Sequence, residues 1–337
     1  MKTLVTLLMC PLISLLTLTA SAEHSIRHIN LAVVQFESTN GDIAGNLKNA
    51  EVWLDRVVAA GAQLIVFPEF MPTGYYLGEA IWESGESMTG PTVSWLTMQS
   101  AKHRVWLGTS FLEVEGEHFY NSFVLTKPNG EVAGKVRKEV PASLETYFFN
   151  GEANDHVIET ELGRIGILIC YENYLSRIAN KVAAANVDLL LSPFSVAEVP
   201  GGTGAQPLSG SAYAGFYGAA LGIPVAAVNK VGKWRSPIPG YPGFMTDGEF
   251  PGLSAIAQAG GSIVASADRK AGFAVAKVAL DPTAKKPDVF FGGAFVEGLV
   301  GKPTNPDDNR AKVDEKGVAS YMENERRIES AMRLQNK

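Results

Sequence analysis

Three residues able to do chemistry stand at three expected strand ends, two of the strands apolar and the third mixed. Glu69 follows Leu64-Ile65-Val66-Phe67, Lys138 follows Val132 to Arg137, and Cys170 follows Ile165 to Ile169. A cysteine at a strand-to-helix turn is expected to be exposed at a sheet edge. There the positive end of the helix would favour the thiolate, and nearby backbone N–H groups would stabilise an oxyanion. A carboxylate ending so apolar a strand loses solvent, which raises its pKa towards the range of a general base. Lys135, Arg137 and Lys138 offer a cation for developing negative charge. Taken singly, each has a plain reading: a small buried hydrophobe, a surface carboxylate, a solvated lysine. Together they supply a nucleophile, a base and an electrostatic stabiliser.

These residues need elements to hold them. Asn30–Phe36, Gln63–Phe67 and Gly163–Ile169 read as buried strands, as do Asp188–Leu191 and Pro224–Val228. Val105–Val114, Tyr120–Thr126 and Glu131–Val136 read as sheet strands, the last two joined by a turn at Pro128-Asn129-Gly130. Ser262–Ala265 and Ala274–Leu280 add two more. A helix is expected after Asn46, its proposed cap, with Leu47, Ala50, Leu54, Val57 and Val58 on one face and Gly61 as its stop. A second is expected over Glu172–Ala185. Strands alternating with helices, plus a hairpin, point to an α/β fold with two sheets packed face to face. Gly201–Gly210 and Ser236–Gly252 are rich in Gly and Pro and read as loops, the second long enough to be a lid.

Composition removes several classes of function. The chain has 337 residues, 46% hydrophobic and 19% charged, with a net charge of −6 and no basic run. That argues against nucleic acid or an anionic membrane surface as partner. Its two cysteines, Cys10 and Cys170, exclude a disulfide scaffold and a four-cysteine zinc site. Lys2, the apolar stretch Leu4–Leu18 and Ala20-Ser21-Ala22 have the form of a secretory signal peptide, so export with cleavage near Ala22 is expected. Cys170 would then be the mature chain's lone cysteine, and no stable membrane insertion is expected. Residues 23–282 are read as one domain. Residues 283–337 are read as a charged tail, ending in a helix over Val318–Leu334, that lies on the surface or wraps a partner subunit.

Around these residues the chain resembles the nitrilase superfamily of carbon–nitrogen hydrolases. Phe67-Pro68-Glu69-Phe70 resembles its glutamate motif, Arg137-Lys138-Glu139-Val140-Pro141 its lysine motif, and Leu168-Ile169-Cys170-Tyr171-Glu172 its cysteine motif. The resemblance extends to Ala32–Phe36 with Asn46-Leu47, to Pro224–Gly232, and to Gly252-Leu253-Ser254 with Gly260-Gly261-Ser262. It implies a four-layer αββα sandwich, a homodimer or higher homo-oligomer, and no cofactor or metal. It further implies a Glu69–Lys138–Cys170 triad acting on a small amide or nitrile through a thioester. Glu145 is carried over as a second glutamate, with Glu139 and Glu152 as rivals, while Glu172 is expected to tie the cysteine turn to a nearby donor. Tyr171, Asn173, Tyr75, Tyr147 and Phe194 are proposed to line the pocket. Tyr171, where nitrilases usually carry Trp, favours an amidase.

Other classes fit less well. Gly252-Leu253-Ser254-Ala255-Ile256 lacks the second Gly of a serine-hydrolase elbow. The five histidines, at positions 24, 28, 103, 118 and 156, form no H-E-x-x-H. Gly202-Thr203-Gly204 is not completed to a dinucleotide fingerprint. An inactive binding ectodomain on the same fold stays open, although it would not need all three triad residues. The membrane-embedded acyltransferases of the superfamily would need spanning helices that this sequence lacks.

Overall fold

The computed structural model describes residues 25–200, 209–292 and 309–335. The expected signal peptide and most of the Gly201–Gly210 loop lie outside the described residues. Two six-stranded sheets form the body. The first contains β1 (Arg27–Gln35), β2 (Leu64–Val66), β3 (Trp106–Glu115), β4 (His118–Thr126), β5 (Val132–Arg137) and β14 (Gly272–Leu280), in the order β14-β1-β2-β3-β4-β5. The second contains β6 (Val157–Thr160), β7 (Gly163–Ile167), β8 (Leu189–Pro193), β9 (Val225–Val228), β12 (Ala255–Ala257) and β13 (Ile263–Ser266), in the order β13-β12-β9-β8-β7-β6. In each, three parallel strands are flanked by antiparallel ones. β2 and β7 lie within these parallel trios, so their ends bring Glu69 and Cys170 to the body's interior.

Period-2 alternation assigns each face. Ile29, Leu31 and Val33 of β1 join Leu64, Val66, Ile165, Ile167, Leu189 and Leu191 in one core between the sheets. Ala32, Val34 and Phe36 face the other way and pack with Leu47, Ala50, Leu54 and Val57 of α1 (Ile43–Ala59) and Val93 and Leu96 of α2 (Pro91–His103). α3 (Ser176–Ala184) and α4 (Gly210–Leu221) cover the second sheet through Ile178, Ala179, Val182, Tyr213 and Tyr217. The result is the expected αββα sandwich.

Several local expectations are corrected. The cap of α1 is Asp42, whose Oδ1 accepts from the Gly45 N–H at 2.9 Å. Asn46 lies inside the helix, its amide bonded to the carbonyls of Thr39 and Pro72. The helix expected from Glu172 begins only at Ser176, because Cys170–Tyr174 forms a tight 3₁₀ turn and Leu175 is extended. Ser236–Gly252 is for the most part the end of an antiparallel hairpin, β10 (Val231–Pro237) with β11 (Met245–Pro251), whose tip contains Pro239, Gly240, Pro242 and Gly243. The tail's described part is two helices, α5 (Asn309–Glu323) and α6 (Glu325–Gln335), packed on this chain's own body. Gly317 sits so close to Thr146 that a Cβ there would lie 1.9 Å from its hydroxyl. The Tyr321 hydroxyl accepts from the Phe119 N–H at 2.8 Å, and buried Arg327 donates to the Tyr321 carbonyl at 2.8 Å. These contacts make the described tail part of the fold rather than a separate segment.

Candidate active site

Glu69, Lys138, Glu145 and Cys170 meet between the sheets. Lys138 Nζ donates to Glu69 Oε1 at 2.9 Å and to Glu145 Oε2 at 2.8 Å, and all three side chains are fully buried. Burial alone would lower the lysine pKa, but Glu145 and Glu69 outweigh it and hold the ammonium charged well above the ordinary range. Glu145 is fixed three further ways: by its 3₁₀ turn (Ser143–Tyr147), by the Ala142 N–H at 2.6 Å, and by the Tyr75 hydroxyl at 2.8 Å. The rivals point elsewhere. Glu139 binds Lys181, Arg177 and His156, and Glu152 binds Arg137.

Glu69 is held asymmetrically. Its Oε1 also accepts from Asn121 Nδ2 at 2.7 Å, while Oε2 is buried without a hydrogen-bond partner. The Cys170 thiol interacts with this carboxylate. Burial, reinforced by Glu145 and opposed by Lys138, lifts the Glu69 pKa above the ordinary carboxylate value. A buried acceptor with an unfilled lone pair is costly for folding, and it is the state a general base needs before it takes a proton.

Cys170 opens its 3₁₀ turn with φ +52°, a left-handed conformation that strains a residue with a Cβ. Glu172 clamps the turn: Oε2 accepts from the Ile169 N–H at 2.9 Å, and Oε1 from the Glu139 N–H at 2.6 Å. The cysteine turn is thereby tied to the end of the lysine strand, as the sequence led us to expect. Two expectations about the cysteine fail. Its thiol is buried, not exposed at an edge, and burial with the Glu69 charge pushes its pKa well above the usual value. A five-residue 3₁₀ turn does not supply enough positive field to reverse that. The shift favours the protonated thiol.

The proposed pocket residues divide. Tyr75 joins the cluster directly. Asn173 is a buttress rather than a pocket residue: its amide donates to the carbonyls of Leu168 and Cys170 and its oxygen accepts from Ser192. Phe194 is buried against Tyr213, with ring centroids 4.7 Å apart. Tyr171 is half-buried beside Tyr174. Tyr147 lines a cleft of about 490 Å³ with Tyr76, Pro237, Gly240 and Lys316. Sequence reasoning overlooked Asn121 and Ser195, whose hydroxyl donates to the Glu69 carbonyl at 2.8 Å. The adjacent polar pair Asn121-Ser122 within a strand that buries Phe119, Phe123, Val124 and Leu125 was the available signal for Asn121. Among the described residues no cluster of His, Cys, Asp and Glu could hold a metal ion, and no helix is long and apolar enough to cross a membrane.

Residues 30–287 match the family model described as carbon–nitrogen hydrolase. The chain belongs to the carbon–nitrogen hydrolase family. The matched stretch contains both sheets and all four clustered residues. Curated relatives in this superfamily include a bifunctional nitrilase/nitrile hydratase of Oryza sativa subsp. japonica, 27% identical over 54% of this chain and 57% of that protein. Nitrilase 1 of Arabidopsis thaliana is 26% identical over 49% and 54%. The chain thus aligns with little more than half the length of these relatives. Solved structures with the same fold include a carbon–nitrogen hydrolase from Helicobacter pylori G27, with TM-score 0.65 and 21% identity over 75% of this chain and 89% of that one. An amidase from Nesterenkonia sp. superposes with TM-score 0.60 and 20% identity over 86% and 95%.

Proposed function

We propose that this carbon–nitrogen hydrolase family member is an exported amidase that cleaves a small amide through a thioester on Cys170. The observation that carries the reading is the buried Lys138 shared by Glu69 and Glu145, with Glu69 Oε2 unfilled and the Cys170 thiol beside it. Because the protonated thiol is favoured, its proton passes to Glu69 as sulfur attacks the amide carbon. The carbonyl π electrons move to oxygen, where Lys138 and the Tyr171 backbone N–H stabilise the charge. As the oxyanion collapses, the C–N bond breaks and Glu69 returns the proton to the leaving amine or ammonia. Glu69 then takes a proton from water, hydroxide attacks the thioester, and sulfur leaves to be reprotonated as the acid departs. Glu145, pinned by Tyr75 and Lys138, positions substrate or water. A mutant of the Nesterenkonia amidase of this fold carries the acetamide moiety of fluoroacetamide covalently on its active-site cysteine, a carbon–sulfur bond formed as fluoride leaves, which supports a nucleophilic cysteine at this place in the fold.

The nitrile reading is favoured by the names of the curated relatives, and Tyr171 in place of Trp weighs against it. Purified protein incubated with a panel of amides, carbamoyl amino acids and nitriles separates the two by which substrates release ammonia. Cys170→Ala should lose at least about a thousandfold in rate while keeping its melting temperature. Full activity in that variant would refute the mechanism. Export, proposed from residues 1–22, is checked by the intact mass of the protein recovered outside the cytosol, with Glu23 as the expected new N-terminus. Assembly into a homodimer or larger oligomer is likewise proposed, and light scattering in solution tests it.

A further inference from the structure

The turn that aims Glu69 rests on a buried lysine that the mechanism above does not use. Lys230 follows β9 and is 1% exposed. Its Nζ donates to the Phe70 carbonyl at 2.7 Å and to Ser38 Oγ at 3.0 Å. Phe70 is the residue after Glu69 and sits at φ +48°, a left-handed conformation that an aromatic side chain adopts only under constraint. The constraint is visible: the Phe70 N–H donates to Ser110 Oγ at 2.9 Å, the Glu69 carbonyl accepts from Ser195, and Ser38 continues to the Met71 carbonyl at 2.9 Å. Lys230 therefore closes a ring of side chains around the two peptides that carry Glu69.

Among the described residues no carboxylate bonds directly to this ammonium. Glu69 is the charged group whose field reaches it, from the end of β2. Glu37, just past β1, is exposed beside Gly232, and Lys138 and Glu145 contact Glu69 or each other rather than Lys230. The buried centre then contains two ammoniums, Lys138 and Lys230, against two carboxylates, Glu69 and Glu145, while burial pushes the pKa of the third buried carboxyl, Glu172, up to about 8 and leaves it uncharged below that. With Lys230 counted, the charges balance both before the thiol proton moves and after it has reached Glu69. Without it, the centre has one uncompensated negative charge, a costly condition away from water.

We infer that Lys230 is a positioning residue for catalysis: it holds the left-handed turn that aims Glu69 and supplies the second positive charge that thiolate formation at Cys170 requires. This rests on the amidase reading of the same site. Burial pulls the Lys230 pKa down to about 7, partly countered by Glu69, so its charge is present below neutrality and fades as pH rises through that value.

The test compares Lys230→Met, Lys230→Gln and wild type, reading kcat and KM on the best amide and the pH profile of Cys170 alkylation by iodoacetamide. Alkylation needs no substrate, so it reports on Lys230 even if the amidase reading fails. Cys170→Ala, run in parallel, identifies that separate failure. We expect kcat to fall at least tenfold with KM within about threefold. Alkylation of the variants should be about tenfold slower than wild type below pH 7, where the Lys230 charge is present, and the profiles should converge above it, because losing a cation disfavours the thiolate. Lys230→Gln is the less disruptive change and decides the matter if the Met variant does not fold. A folded Lys230→Gln protein with wild-type kcat and an unshifted alkylation profile would overturn the inference.

Discussion

Two buried clusters of opposite character grow from consecutive residues. Arg137 ends β5, and Lys138 is next in the chain. Arg137 donates to Glu113 from Nε and from a terminal nitrogen, both at 2.9 Å, and reaches Glu115 and Glu152 as well. Lys138 binds Glu69 and Glu145. Even the strand opposite is divided: Ser122 donates to Glu113 and its neighbour Asn121 donates to Glu69. The difference lies in completeness. Both Glu113 oxygens are filled, Oε1 by Lys135 and Arg137, Oε2 by Arg137 and Ser122. Burial alone would raise its pKa, yet those donors outweigh it and hold the carboxyl below its ordinary value. Glu69 has one oxygen filled and one orphaned, and its pKa is raised. Ion pairing and burial are common to both, so neither marks a site. What distinguishes the reactive cluster is an acceptor left open beside a nucleophile.

Substitutions test that contrast directly. Glu69→Gln removes the base, and we expect kcat to fall about a hundredfold to ten-thousandfold with little loss of stability. Glu113→Gln should do the reverse. It breaks a filled buried pair and lowers unfolding free energy by about 3 kcal/mol, while kcat stays within about twofold. Urea unfolding and steady-state kinetics on both variants would erase the distinction if each lost both properties alike.

A smaller effect concerns pH. Activity requires ionised Glu69, so the acid limb of kcat/KM should rise with pH at a value above the ordinary carboxylate range. Asn121→Ala removes a donor to the anion. Its acid limb should move up by about half a pH unit or more, and a limb that stays in place would show that Asn121 does not tune this carboxylate. Smallest is Tyr75→Phe. Glu145 keeps Lys138 and the Ala142 N–H, so losing one hydrogen bond should cost about 1 kcal/mol, a fivefold to tenfold fall in kcat/KM. A fall beyond about a hundredfold would mean that the Tyr75 hydroxyl touches the reacting atoms.

Much of this was legible before any coordinates. Apolar runs end abruptly at Glu69 and Cys170, while Lys138 closes a mixed strand and was legible through its motif, so the α/β class and two of the three positions followed from local pattern. Glu172 was readable for the same reason, being two residues from the cysteine it secures. Ser236–Gly252 reads as a loop in sequence because turn residues dominate the hairpin's tip while its strands alternate weakly. The tail's contacts with the body were not legible because Tyr321 and Arg327 look like ordinary members of a charged helix.

What the chain determined by itself was therefore which groups are candidates for the reaction and which strands present them, since both depend on neighbours in sequence. Tertiary structure decided the rest. It chose Glu145 over Glu139 and Glu152 by placing Tyr75 and Lys138 around it. It placed Asn121 and Lys230, 52 and 161 positions further along the chain, against Glu69 and the residue after it. It also reversed the expectation for Cys170, burying the thiol and favouring its protonated form. Hydrogen bonds across such separations leave no periodic trace in sequence, and desolvation depends on everything packed around a group.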